Sequence, residues 1–103
     1  MFRRAVLMVA VVLLAVGSCQ TLPLVDNNLL RAAADLGVPP EQVRRGYDLM
    51  LGECTACHAP VHPLGLSREQ WREVLPRMVD KSGLTAREQG DLEAYLRAVW
   101  ASS

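Results

Sequence analysis

The 103-residue chain carries no net charge, with eleven Lys plus Arg set against eleven Asp plus Glu. It has no basic surplus to neutralise a phosphate backbone, so nucleic acid is not an expected partner. It lacks internal repeats, and no stretch alternates apolar and polar residues in the manner of a half-buried strand. Cysteine occurs only three times, so the cysteines cannot all pair as disulfides within one chain. What the sequence does hold is apolar: half of its residues are hydrophobic, a share raised by the first twenty positions. That content argues against disorder, and the length allows one domain at most. A core this small gains stability most readily from a disulfide, a metal or a cofactor.

The first segment reads as an export signal. Arg3 and Arg4 precede an unbroken apolar run from Ala5 to Val16, followed by the small residues Gly17 and Ser18. A helix of that length rises roughly 18 Å, against a hydrocarbon core of about 30 Å. A basic start, a short apolar centre and small residues at the exit match a signal peptide over 1–18 better than an uncleaved anchor. The string Val16-Gly17-Ser18-Cys19 resembles the lipobox of bacterial lipoproteins. That resemblance implies cleavage before Cys19, a diacylglycerol on its sulfur and an acylated amino terminus. Several acyl chains anchor stably where one does not. Ordinary cleavage near Ser18 would instead leave a free thiol in an oxidising compartment. Loss of Arg3 and Arg4 leaves nine basic against eleven acidic residues, so a charge-steered partner would meet a local patch.

With Cys19 assigned to lipid, Cys54 and Cys57 remain, and His58 follows directly. Cys-x-x-Cys-His is the attachment pattern of a c-type haem. Positions i, i+3 and i+4 share one face of a helix, so two thiols and an imidazole can converge on one side of a flat macrocycle. The thiols form thioethers with its vinyl groups, and His58 becomes the proximal iron ligand. A thioredoxin-like dithiol would want a strand before the motif, and none is visible. A zinc site would need more ligands than His62 alone provides. A Cys54–Cys57 disulfide would close only a very small loop.

The remaining chain divides into helices. Residues 20–25 read as a tether, and the stretch 19–39 as that tether plus a short helix capped by Asp26 and running through Asp35. Gly37 and Pro39-Pro40 end it. A second helix from about Glu41 runs towards the motif with Val43, Tyr47, Met50 and Leu51 on its inner stripe. Pro60 and Pro63 impose an irregular loop over 59–66. Ser67 with Gln70 forms a capping box for a third helix carrying Trp71, Val74, Leu75, Met78 and Val79, in which Pro76 predicts a kink or early break. Lys81-Ser82-Gly83 closes it. Thr85 with Glu88 opens a last helix with Leu92, Tyr95, Leu96, Val99 and Trp100 facing inward. The expected fold class is all-α.

A helix leading into Cys54–His58, a proline-containing loop and a closing helix with Tyr95 and Trp100 together resemble the cytochrome c family. The resemblance covers roughly residues 40–101 and implies a minimal helical domain, 40–103, around one covalent haem. In that fold the first and last helices cross beside the haem. The resemblance further implies that a backbone carbonyl near Pro60 or Pro63 holds the His58 Nδ1–H. The loop after His58 is short for the family, and no methionine follows Met78. In this the stretches Trp71–Met78 and Leu84–Leu96 are more similar to compact haem domains that serve as subunits of periplasmic dehydrogenases.

In family members that shuttle electrons the sixth iron ligand is usually methionine. Met50 lies on the helix that also delivers His58 and would have to reach the opposite face of the ring. His62 faces a related objection, being four residues past the proximal ligand. Met78, separated by a loop and a helix, is the favoured ligand, although methionine on a helical stripe is also ordinary core filler. A vacant or water-bound position is the alternative. Arg45, Arg72 and Arg77 are candidates for the haem propionates. The expected activity is single-electron transfer between redox-protein partners at the periplasmic side of a bacterial membrane. The other readings are a haem subunit of a periplasmic oxidoreductase and a gas- or peroxide-binding protein with an open iron face. No distal acid–base pair is readable, so the chain is expected not to be an enzyme in its own right.

Overall fold

The structure is a computed structural model, and it describes residues 22–52 and 61–103. Those residues form four helices and no strand: α1 (Asn27–Asp35), α2 (Pro40–Leu51), α3 (Arg68–Ser82) and α4 (Ala86–Ser102). The all-α expectation holds across them.

Local chemistry sets most of the boundaries. The Leu29 N–H donates to Asp26 Oδ1 at 2.8 Å, which satisfies one of the free donors at the start of α1. After α1 the chain turns through Gly37 at φ 75°, a left-handed conformation that costs glycine nothing. Pro40 opens α2, where its missing N–H is no loss. Reciprocal capping boxes start α3 (Ser67 with Gln70) and α4 (Thr85 with Glu88). Gly83, at φ 70°, ends α3.

Three expectations need correction. The early break at Pro76 does not occur, because α3 continues to Ser82. Pro76 lies on the exposed side of α3, so the N–H it lacks is missing from the solvent-facing surface and not from the core. Leu51 is not on the inner stripe of α2 and stands 43% exposed. The face turned inward carries Val43, Gly46 and Met50, spaced three and four apart, and Leu51 falls one step beyond it. The tether does not run free to residue 25, since Leu22 is buried in the core.

The core lies where α1 and α2 pack on α4. Leu29, Ala33, Val43, Met50, Leu92, Ala94, Tyr95, Leu96, Ala98 and Val99 fill it, with Leu22 and Val38 at its margin. The helices α2 and α4 come together at Gly46, where an added Cβ would overlap the Asp91 carbonyl oxygen and lie 2.7 Å from Tyr95 Cβ. Beside this crossing the Arg45 guanidinium reaches Asp91 from Nε at 3.1 Å and from Nη2 at 3.4 Å. Asp91 is only 3% exposed, so its charge needs that partner.

Tyr95, fully buried, meets Tyr47 edge-on at 5.6 Å between ring centres. Its hydroxyl donates to the Pro23 carbonyl at 2.7 Å. Burial first, and the neighbouring Tyr47 second, push its pKa well above the ordinary tyrosine value. The folded state thus prefers the protonated phenol. Its stabilising contribution is intact below the unfolded pKa of about 10 and is lost progressively as pH rises above that value. Denaturant midpoints should be level near neutrality and fall above about pH 10. Tyr95→Phe should flatten the alkaline limb.

Candidate functional site

Cys54, Cys57 and His58 lie outside the described residues, as do Cys19 and Pro60. The site can nevertheless be built from the elements that flank the motif. On its near side α2 ends at Leu51, three residues before Cys54. On its far side the chain forms a turn in which the Gly65 N–H donates to the His62 carbonyl at 2.8 Å. The Leu64 N–H donates to His62 Nδ1 at 3.0 Å. This occupies the Nδ1 lone pair and, in the neutral ring, puts the proton on Nε2, so neither nitrogen offers a metal a free lone pair in this arrangement.

Pro63, five residues after His58, is fully buried and fixes the return of the chain. Its carbonyl accepts the Trp71 indole N–H at 2.8 Å and the Trp100 indole N–H at 3.3 Å. A carbonyl oxygen has two lone pairs, and both are taken here. Of the two carbonyls considered for the His58 Nδ1–H, the one at Pro63 is therefore already committed. Trp71→Phe deletes the shorter, buried bond and leaves a gap. It is expected to cost about 2 kcal/mol in denaturant unfolding, whereas the same change at half-buried Trp100 should cost less than about 1 kcal/mol.

Beside these indoles, residues of α3 and α4 line an open cleft of about 510 Å³. Trp71, Leu75, Leu96 and Trp100 give it apolar walls, and Arg68, Arg72 and Arg97 give it cations, with Glu93 the one acid in the lining. The Arg68 guanidinium lies over the Trp100 ring, 5.2 Å from its centre. Such a lining suits a flat apolar group with an anionic edge. Of the three arginines expected near carboxylates, Arg72 lines the cleft. Arg45 instead bonds Asp91, and Arg77 is exposed and does not line the cleft. Sequence reasoning does not single out Arg68 and Arg97. Their spacing to Arg72 and Glu93, four positions in each case, is a visible signal, but nothing in the sequence says that these two helix faces oppose one another.

Met78 sits half-buried on α3, seven positions after Trp71 and on the same side of the helix, packed against the core. It does not line the cleft itself. Met50 is 1% exposed within the core and acts there as packing. Among the described residues no group of three or more His, Cys, Asp or Glu is placed to hold a metal ion. Among the same residues no helix is long and apolar enough to cross a membrane.

No family model matches the chain, no curated protein is similar to it, and no solved structure matches its fold.

Proposed function

We propose that the protein is a lipid-anchored, single-haem c-type cytochrome that passes electrons one at a time between redox proteins. The observation that carries this reading is the string Cys54-Thr55-Ala56-Cys57-His58 in a helical chain whose first segment resembles a lipoprotein signal, the string lying in sequence between the end of α2 and the buried Pro63. The crossing of α2 and α4 at Gly46 supports it, since the cytochrome c resemblance implies that these helices meet beside the haem.

The residues present fit the group. Cys54 and Cys57 would hold it through thioethers and His58 would bind its iron. The cleft wall of Trp71, Leu75, Leu96 and Trp100 matches an apolar ring, and Arg68, Arg72 and Arg97 match carboxylates at its edge. When bound, the haem supplies reversible one-electron chemistry at iron. The chain's own contribution is to keep water from the apolar face, to neutralise the carboxylates and to orient the His58 imidazole. Cys19 would carry the lipid and hold the protein at the periplasmic face of a membrane.

Mass spectrometry of the exported protein tests the reading in one measurement. The mass should exceed that of residues 19–103 by one haem and the acyl groups, on a red product. A colourless, unmodified and still folded chain would overturn it.

Met78 on α3 is the proposed sixth ligand; it does not line the cleft, so its side chain would have to turn from the core towards the ring to reach the iron. Met78→Ala should open the iron to carbon monoxide in the reduced form. It should also lower the potential on the order of 100 mV, within the span of ~0.8 V that axial ligands cover. Voltammetry and absorption spectra read both effects. Values equal to those of the parent protein would move the ligand role away from Met78.

A further inference from the structure

We propose that the segment Leu22–Leu24, with the adjoining start of α1, is a membrane-contact surface held against the lipid headgroups. The inference rests on the proposed lipidation of Cys19 and adds an orientation to it. An acylated protein usually stands off its bilayer on a flexible linker, which lets the body rotate and reach outward. Here the linker is nearly absent. Only Gln20 and Thr21 separate Cys19 from Leu22, so the two Cα atoms lie at most about 11 Å apart even in a fully extended chain.

Leu22 is not free to lengthen that leash. It is 5% exposed and belongs to the core cluster. Pro23, which follows, is fastened as well, its carbonyl accepting a hydrogen bond from the hydroxyl of Tyr95, which is itself fully buried on α4. Further along, Asp26 and Leu29 close the cap of α1. The exit point of the chain is thus part of the folded body, and the acyl chains hold that point at the bilayer. Between these anchored positions Leu24 stands 70% exposed, the most exposed large apolar side chain among the described residues. At the point nearest the lipid an exposed leucine has an apolar phase to enter, and contact at this site costs no further search because tethering sets its effective concentration. Redox partners then have to meet the protein in the layer next to the membrane, on faces other than this one.

The test uses the full chain, exported, acylated and placed in phosphatidylcholine–phosphatidylglycerol vesicles. A nitroxide is attached at Leu24→Cys or, for reference, at Arg77→Cys on α3, which lies outside the α1–α2–α4 packing. Collisions with a water-soluble nickel chelate are then measured. Both positions are exposed, so neither substitution disturbs the core, and circular dichroism checks this. The Leu24 label should be several-fold less accessible than the Arg77 label. The difference should vanish when about twenty Gly/Ser residues, worth a root-mean-square reach of about 25 Å, are inserted between Thr21 and Leu22. Equal accessibility in protein whose mass shows the acyl groups would overturn the membrane contact and leave the cytochrome reading intact. A mass without acyl groups would remove the lipid reading and this inference together.

Discussion

Gly46→Val is expected to abolish cooperative unfolding of the protein near room temperature, or to lower its midpoint by well over 10 °C. The reason is backbone rather than side chain. A Cβ at position 46 would enter the space of the Asp91 carbonyl oxygen and approach Tyr95 Cβ at 2.7 Å. Neither can swing aside as the end of a long side chain does, so α2 and α4 would have to separate. Separation would loosen Val43 and Met50 on one side and Leu92, Tyr95 and Leu96 on the other, most of the large buried residues of the core. It would also pull Arg45 from Asp91 and leave a buried carboxylate without its partner. Overpacking costs about 1–3 kcal/mol where neighbours can adjust and more where they cannot. In a domain of this size each kcal/mol moves the midpoint by about 4–8 °C. Gly90 supplies the control. It sits in α4, and a Cβ added there would meet nothing within 4 Å, so Gly90→Ala should stabilise by roughly 0.5–1 kcal/mol through helix propensity alone. Thermal melts followed by circular dichroism read both variants, and an unchanged midpoint for Gly46→Val would show that the two helices do not meet as described.

The helices themselves are legible in the sequence because their signals are local. Asp26, Ser67 with Gln70, and Thr85 with Glu88 announce helix starts within a few residues, and Gly37 and Gly83 announce the stops. The inner stripe of α4 is equally plain from the spacing of Leu92, Tyr95, Leu96 and Val99. Contacts between elements are not legible. Nothing local to Gly46 marks it as a contact point, yet it is where α4 approaches. Pro76 reads as a break, yet it lies on an exposed face away from the core and α3 runs on to Ser82. The junction of Leu22 and Pro23 with Tyr95 includes a hydrogen bond between positions 72 apart, and no periodicity reports such a pair. For the candidate site the split is the same: the Cys54–His58 string is a local pattern, whereas the arginines of the cleft become a set only when α3 and α4 face each other.

Cys57→Ala is expected to reduce the yield of folded holoprotein at least about tenfold, because a chain this small buries a modest share of its surface and gains much from a cofactor that fills its core. The described core has few large side chains, and several of its members are alanines, namely Ala33, Ala94 and Ala98. The helix α3 is the element most dependent on help. Its buried residues are Trp71, Leu75 and Val79, the first two lining an open cleft, while α1 and α2 lie directly on α4. In the proposed reading a haem fixed by Cys54 and Cys57 fills that gap and ties the segment between α2 and Pro63 to both walls. With one thioether gone, the ring is held by a single carbon–sulfur bond and the His58 ligand, and α3 loses the support of a permanently placed partner. Cys54→Ala should act in the same direction. Absorbance of the purified protein against its peptide absorbance reads the haem content, and circular dichroism reads the fold. The double variant Cys54→Ala/Cys57→Ala separates the two roles of the group. If it were recovered colourless, with full helicity and the thermal midpoint of the parent protein, the core would be sufficient without a cofactor, and the cleft between α3 and α4 would need a different occupant.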